Sequence, residues 1–183
     1  MGVESAYAQS RYRSPEIEHK YGPNVHLLDD PVCWTQLARL CARETVQPEV
    51  GHLVRSLYQR LAQVVLAAEF PRERVAVPTR MVVHSPEAVY RGVALDASTN
   101  CVTVGIARAG TMPSQVVYDL LNEVIDPAGV RQDHLFMSRM TDEAGRVVGA
   151  TWHDAKIGRD VDGRIVLFPD PMGATGSSMI SAI

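Results

Sequence analysis

The segment "GRIVLFPDPMGATGSSM", from Gly163 to Met179, decides how the end of this chain folds. Its apolar beginning predicts a buried strand that ends near Asp170, and the glycines and hydroxyl side chains that follow predict a loop and then a helix. The first amides of a helix have no intrahelical partner, and the helix dipole makes their end positive, so this loop can hold an anion. Gly173 and Gly176 would let the backbone turn tightly and approach a ligand closely.

The side chains of the same loop indicate which anion it suits. The hydroxyls of Thr175, Ser177 and Ser178 would add hydrogen-bond donors, as a phosphate monoester requires. Asp170 cannot bind the phosphate, but it is placed to accept hydrogen bonds from sugar hydroxyls beside it. Taken alone, the glycines and hydroxyls fit an ordinary helix cap equally well. The segment is not a Walker loop, because no lysine follows Gly176.

Strands alternate with helices in the second half of the chain, which predicts an α/β domain with a central, mainly parallel sheet flanked by helices. The predicted strands are "NCVTVGI", "DHLFMSRM" and "GRIVLFPD", and "PSQVVYDLLNEVI" is a helix that starts at Pro113. In such sheets a ligand binds beyond the carboxyl ends of the strands. The unusual motifs of this sequence all lie at such ends.

The first half predicts a helical region and an antiparallel ribbon. Asp30 and Pro31 are typical of a helix start, and a second helix with a long apolar stripe runs from about Pro48 to Glu69. That stripe fits either the core or a subunit interface. The segments "RVAVPTRMVVHS" and "EAVYRGVALDA" predict two paired strands. Residues 1–24 are expected to form a flexible N-terminal arm, with one domain from 25 to 183.

Composition excludes several classes of function. The chain has 183 residues and a formal net charge of -3, so no broad field attracts nucleic acid or an anionic membrane. It contains no apolar run of membrane-spanning length and no apolar signal sequence at its start. Cys33, Cys41 and Cys101 are scattered, which indicates neither a disulfide framework nor a CxxC metal site. We expect a cytoplasmic protein without nucleic-acid or membrane partners.

Taken whole, "VLFPDPMGATGSSM" resembles the loop with which type I phosphoribosyltransferases bind 5-phosphoribosyl 1-pyrophosphate. The form Asp-Pro-Met-x-Ala-Thr-Gly-x-Ser is that of the uracil phosphoribosyltransferases. The resemblance implies the type I phosphoribosyltransferase fold, with an antiparallel flap, and a loop that binds the sugar phosphate. The loop residues implied are Asp170, Pro171, Met172, Gly173, Ala174, Thr175, Gly176, Ser177 and Ser178.

Two further segments resemble the same family. "IARAGTM" is similar to its Leu-Arg-Ala-Gly element, which implies that Arg108, Ala109 and Gly110 approach the pyrophosphate, in a turn whose backbone can be strained or contain a non-proline cis peptide. "FMSRMTDEAG" is similar to its Tyr-Arg-x-x-x-Thr element, with Ser138 in place of the tyrosine, and implies that Arg139 reaches the pyrophosphate. The extended segment after it corresponds to the flap, with Lys156 at its return.

The resemblance implies transfer of a phosphoribosyl group to uracil or a related base, giving UMP and pyrophosphate. Asp170 and Arg108 would be the catalytic residues. Mg²⁺ would arrive with the pyrophosphate, so no dedicated protein metal site is expected. The family usually forms homo-oligomers, dimers or larger.

Departures from the family keep other functions open. Ser177 stands where the family has glycine, and it would be strained if its φ were positive. The sequence ends at "GSSMISAI", without the family's uracil-recognising segment, so we expect either a fragment truncated at its C-terminus or a divergent protein. One alternative is therefore a non-catalytic regulatory protein that binds the donor or a nucleotide. Another is an α/β domain whose loop only resembles a phosphate site.

Overall fold

The computed structural model describes residues 12–141, 147–158, 160–173 and 176–183. The described helices are Pro31–Cys41 (α1), Glu49–Glu69 (α2), Thr111–Val124 (α3) and Ser177–Ala182 (α4). The described strands are Arg72–Pro78 (β1), Val89–Leu95 (β2), Cys101–Ala107 (β3), Val130–Thr141 (β4), Val147–Lys156 (β5) and Ile165–Leu167 (β6), with short 3-10 helices at Arg80–Val83 and Pro127–Gly129.

The strands form two separate sheets. The larger has the order β5-β4-β3-β6, in which β3 runs parallel to β4 and to β6 while β5 is antiparallel to β4. β1 and β2 form an antiparallel pair of their own. The prediction of an α/β domain with a mainly parallel sheet, flanking helices and an antiparallel ribbon is confirmed at this level.

β3 is the centre of the domain, and its residues 101–106 are all buried. Successive side chains of a strand point to opposite faces of the sheet, so β3 contributes to two clusters. Cys101 packs with apolar residues of α2 and α3 on one face. Val102, Val104 and Ile106 pack with Leu135 on the other, where residues of α4 also contribute. Helices therefore cover both faces of the sheet.

α3 lies very close to β3 because Gly105 has no side chain. A Cβ at Gly105 would be 2.6 Å from the Oγ of Ser114, a fully buried residue of α3. The amide of Gln132 on β4 donates to the same Oγ over 3.0 Å. This packing fixes the first turn of α3 over the carboxyl end of β3.

The predicted start of α1 is confirmed in detail. Asp30 accepts hydrogen bonds from the amides of Val32 and Cys33 at 3.0 and 3.4 Å. Its other oxygen accepts from Arg60 Nε of α2 at 2.9 Å, and this guanidinium holds the pKa of Asp30 below its ordinary value. One carboxylate thus caps α1 and joins it to α2.

The predicted ribbon is shorter than the sequence pattern indicated. β1 ends at Pro78, and residues 80–83 form a 3-10 turn in place of continued strand. Pro78 has no amide to extend a ladder, and the Thr79 hydroxyl accepts from the amide of Met81 at 3.3 Å, which favours a turn.

The chain before α1 folds back on itself. The amide of Ile17 donates to the carbonyl of Leu27, and the amide of Asp29 to that of Pro15, both over 2.9 Å. The predicted arm of residues 1–24 includes this segment, while residues 1–11 lie outside the described part of the chain. None of the helices in the described part has both the length and the apolar character needed to cross a membrane.

A partly buried ion pair fixes the return from β5 to β6. Arg131 binds Asp133, which is almost fully buried, through Nε and Nη2 at 2.9 and 3.0 Å. Asp133 also accepts from the amide of Gly158, and Arg131 donates to the carbonyl of Asp160 at 2.9 Å. The pair therefore holds the segment that leads into β6 and its following loop.

Candidate functional site

The turn that follows β3 and the loop that follows β6 lie at the same edge of the larger sheet. β3 and β6 are neighbours and parallel, with Cys101 opposite Ile165 and Thr103 opposite Leu167. Parallel neighbouring strands end at the same edge, so Arg108 follows β3 and Asp170 follows β6 on the same side of the molecule. The structure thus brings together the two residues that the sequence predicted as catalytic.

Gly110 makes the contact between the two motif segments. A Cβ there would lie 2.9 Å from the amide nitrogen of Ile106 and 3.0 Å from the carbonyl oxygen of Pro169. These are backbone atoms that cannot swing away, so only glycine fits. The turn after β3 is therefore packed directly against the residue that precedes Asp170.

The turn itself is closed by backbone hydrogen bonds. The amide of Gly110 donates to the carbonyl of Ile106 at 2.9 Å, and that of Thr111 to the carbonyl of Arg108 at 3.2 Å. The peptide bond between Ala107 and Arg108 is cis. Arg108 and Ala109 are exposed, and no described residue forms an ion pair or a side-chain hydrogen bond with Arg108. Its guanidinium is therefore open to an incoming anion.

The loop after β6 starts with a turn that Asp170 organises. Oδ1 of this half-buried residue accepts from the amide of Met172 at 2.9 Å, across Pro171. The second oxygen of the Asp170 carboxylate can still accept from a ligand. The Met172 amide already donates to Asp170, so it does not serve as one of the predicted donors to a bound phosphate. Met172 is 64% exposed and Gly173 is exposed, and apart from its chain neighbours no atom of the described residues lies within 4 Å of the position of a Cβ on Gly173.

Gly176 turns the chain into α4. Its φ of +73° lies in the left-handed region that favours glycine, and its carbonyl accepts from the amide of Ile180 at 2.9 Å. Among the described residues, positive φ occurs only at glycines, so the strain that was conditional on a positive φ at Ser177 does not arise. Ser177 and Ser178 instead form the start of α4. The predictions for Ala174 and Thr175 lie outside the described residues.

α4 is only six residues long. The positive partial charge at its start resides on the amides of its first turn. Any anion bound here would depend chiefly on individual loop amides, on hydroxyls and on Arg108.

Arg139 lies further out along the same edge. Phe136 of β4 pairs with Ala107, the last residue of β3, so the backbone of Arg139 lies three residues, about 10 Å, beyond the end of β3. There it pairs with Ala150 of β5. β4 and β5 thus continue past the sheet as a two-stranded antiparallel extension, as the predicted flap requires, while the tip at 142–146 lies outside the described residues.

β5 contains a bulge. Phe136 pairs with Asp154 but Met137 pairs with Trp152, so His153 is an extra residue in the strand. Lys156, opposite His134, lies level with the body of the sheet and away from its carboxyl edge.

Tyr58 of α2 belongs to this region, although the sequence analysis did not assign it a functional role. It lines an apolar cavity of about 140 Å³ together with Leu61, Ala62, Val65, Val117, Leu167, Phe168 and Pro169. Burial raises the pKa of Tyr58 to about 12, and the negative charge of Asp170 contributes to the rise. Tyr58 stands in an apolar stripe far from Asp170 along the chain, so no local signal linked the two.

No group of three or more His, Cys, Asp or Glu side chains within the described residues is arranged to hold a metal ion. Asp170 is a carboxylate at the carboxyl edge, and one of its oxygens already accepts from a backbone amide. A divalent cation here would need most of its ligands from a bound molecule and from water, as Mg²⁺ commonly does.

No protein-family model matches the sequence, and none of the curated proteins matches it either. Among solved structures, the chain is similar to one described as "Structure of AQ2163 protein from Aquifex aeolicus", with a TM-score of 0.64 and 19% sequence identity. The match covers 85% of this chain and 65% of that one. The chain therefore spans about 65% of the length of that protein, and at this identity the likeness shows a shared fold alone.

Proposed function

We propose that this chain is a phosphoribosyltransferase-like domain of type I fold that binds 5-phosphoribosyl 1-pyrophosphate and transfers its phosphoribosyl group to uracil. The observation that carries the proposal is the packing of Gly110 against the carbonyl of Pro169. It holds an exposed arginine and a loop of Asp-Pro-Met-Gly type side by side at the edge where α/β sheets bind ligands. A donor with a phosphate at one end and a diphosphate at the other suits two such adjacent loops.

In this proposal the two loops divide the donor between them. Amides and hydroxyls from residues 173–178 hold the sugar phosphate, and the free oxygen of Asp170 accepts from a ribose hydroxyl. Arg108 contacts the diphosphate. Arg139, on the extension of β4, lies at the same edge and adds a second positive charge. Holding the donor in this way supplies orientation, which is a large part of what a protein contributes to a group transfer.

The transfer makes one bond and breaks one. The ring nitrogen of the base bonds to C1 of the ribose, the C1–O bond to pyrophosphate breaks, and pyrophosphate leaves with the electron pair. The N–H proton of the base passes to water. Negative charge grows on the departing group, where the guanidinium groups of Arg108 and Arg139 stabilise it. Mg²⁺ bound to the diphosphate would supply further charge neutralisation. The β4–β5 extension would exclude water, which otherwise hydrolyses the donor.

The test is an assay with labelled donor, Mg²⁺ and uracil, followed by analysis for UMP. We expect UMP from the unaltered chain, and donor affinity reduced by roughly 10- to 100-fold in Arg108→Ala, because a charge-assisted hydrogen bond is lost. Arg43→Ala is the matched control, since Arg43 is exposed but lies in the loop between α1 and α2. Equal donor affinity in all three proteins, or no donor binding in any, would overturn the proposal.

A second function, donor binding without transfer, is favoured by the cavity beside Pro169. Apart from Tyr58, its lining side chains are apolar, whereas discrimination of a base such as uracil relies on buried hydrogen-bonding groups. A regulatory protein needs only the donor site. Tight donor binding with no nucleotide formed from uracil or any related base would favour this function, and UMP formation would exclude it.

A further inference from the structure

The apolar stripe of α2 contributes to the core and also lines the cavity beside β6. Leu53, Val64 and Leu66 of this helix are buried, so of the two interpretations of the stripe the described structure supports the core. The α2 residues that line the cavity of about 140 Å³ are spaced as one helical face, namely Tyr58, Leu61, Ala62 and Val65. This face of α2 therefore lies against open space and not against another element.

Three elements surround the cavity, and one side of it is open to solvent. α3 contributes Val117, and the end of β6 with the two residues after it contributes Leu167, Phe168 and Pro169. Leu61 is 44% exposed, which places it at the rim. A small molecule can therefore enter the cavity without unfolding a helix or a strand.

The size and the lining of the cavity restrict what can bind in it. Among the described lining residues, every side chain except that of Tyr58 is apolar. An apolar protein cavity of about 150 Å³ is known to accommodate benzene, so a single six-membered ring has the right size here. A pyrimidine base such as uracil would have several polar groups buried without partners, which is unfavourable. The cavity thus suits an aromatic ring with at most one polar substituent.

Tyr58 determines the character of that substituent. Within the described part of the chain, no residue forms a hydrogen bond with the Tyr58 hydroxyl, and burial raises the pKa of Tyr58 to about 12. The hydroxyl therefore stays protonated at neutral pH and can pair with another hydroxyl. The negative charge of Asp170 adds to the rise in pKa, so the potential at this end of the cavity is negative. An anionic ligand would be repelled there.

We propose that this cavity is a binding site for a small, uncharged aromatic molecule with one hydroxyl group, of the phenol class. The ring fills the space between α2, α3 and β6, and the ligand hydroxyl pairs with that of Tyr58. An occupant would contact Pro169, whose carbonyl packs against Gly110, so it would lie next to the junction of the two motif loops. The site is separate from the proposed donor site and does not rest on the proposed function.

The test is isothermal titration calorimetry of the full chain with phenol as the probe. We expect saturable binding at one site per chain with a dissociation constant below about 1 mM, which is within reach of a ligand of this size. Benzoate is the matched anionic ligand and uracil the matched polar one. Both should bind at least roughly 10-fold more weakly, because a charge or several unpaired polar groups would be buried. No saturable binding of phenol, or equal affinity for phenol and benzoate, would overturn the proposal.

Two identical substitutions on α2 locate the site. Ala62→Leu puts a larger side chain into the cavity and should abolish phenol binding, whereas Ala68→Leu makes the same change at an exposed position and should leave binding unchanged. Leu61→Trp fills the cavity from its exposed rim, and it provides the same test if Ala62→Leu does not fold. Phenol binding that persists in a folded, cavity-filled variant would contradict the assignment.

Tyr58→Phe tests the hydroxyl contact separately from the space. Loss of one neutral hydrogen bond should weaken phenol binding by roughly 3- to 10-fold and leave benzene binding unchanged. Equal affinity of this variant and the unaltered chain for phenol would overturn the proposed contact with Tyr58. None of these measurements involves the phosphoribosyl donor, so their failure and the failure of the proposed function are distinguishable.

Discussion

Two loops lie side by side at the carboxyl edge of the sheet, and they are built in opposite ways. The turn at 108–110 is held by backbone hydrogen bonds, and Gly110 has backbone atoms of Ile106 and Pro169 within 3.0 Å of its absent Cβ. The loop from Pro171 to Gly173 is exposed, and within the described part of the chain nothing except the chain neighbours of Gly173 lies within 4 Å of its absent Cβ. The comparison shows that similar glycines can have different purposes. Gly110 permits packing within the chain, whereas Gly173 leaves space for something outside it.

The largest effect that this difference predicts is on stability. Gly110→Ala should lower the free energy of unfolding by about 1–3 kcal/mol, as overpacking against fixed backbone does. Gly173→Ala is the matched control and should change it by less than about 0.5 kcal/mol, as is usual for surface substitutions. Urea denaturation measures both. Equal effects of the two substitutions would show that the loops do not differ in packing.

Gly176 differs from both, because its conformation rather than its surroundings requires glycine. Its φ is +73°, and the described atom nearest to a Cβ there, Ile180 Cδ1, is 4.0 Å away, so Gly176→Ala should cost about 1–2 kcal/mol in stability through backbone strain. Gly163 is the matched control before β6, because its φ is +67° and nothing in the described structure lies within 4 Å of a Cβ there. Both variants should lose similar stability in denaturant melts, but only Gly176→Ala should also weaken donor binding. Unequal stability losses would argue against the backbone explanation.

The smallest effect concerns the link between α2 and the open loop. Because the folded pKa of Tyr58 is about 12 against an ordinary 10, folded chains keep a proton that unfolded chains lose, so stability should fall as pH rises from 10 towards 12. In Asp170→Asn the pKa of Tyr58 should decrease yet stay above 10, since burial is its larger cause. Ultraviolet absorbance of tyrosinate during titration measures this.

The Cys101 thiol provides an internal control for that titration. Burial raises its pKa from 9.0 to about 12, which lowers stability in the same alkaline range. Asp170 is not among the causes of that shift, so Asp170→Asn should leave the thiol titration unchanged. An unchanged tyrosine titration in Asp170→Asn would show that Tyr58 and the loop are electrostatically independent.

Some structural features could be read from the sequence because they depend on neighbours along the chain. The Asp30 cap and Pro31 start of α1, the long helix at 49–69 and the alternation of strands and helices follow from capping, periodicity and turn residues. The sequence also showed that an unusual motif follows each of the strands β3 and β6. The sequence pattern predicted a longer strand after Arg74 than the structure contains, because the turn capped by Thr79 competes with the extended conformation.

Tertiary structure alone decided what those motifs contact. Nothing local places β3 beside β6, or Gly110 on the carbonyl of Pro169, or Tyr58 near Asp170. The bulge at His153 depends on the pairing of β5 with β4 in the same way. Helix caps and hydrophobic periods are encoded within a few residues, whereas strand order and loop contacts depend on how distant segments fill one core, which no short segment specifies.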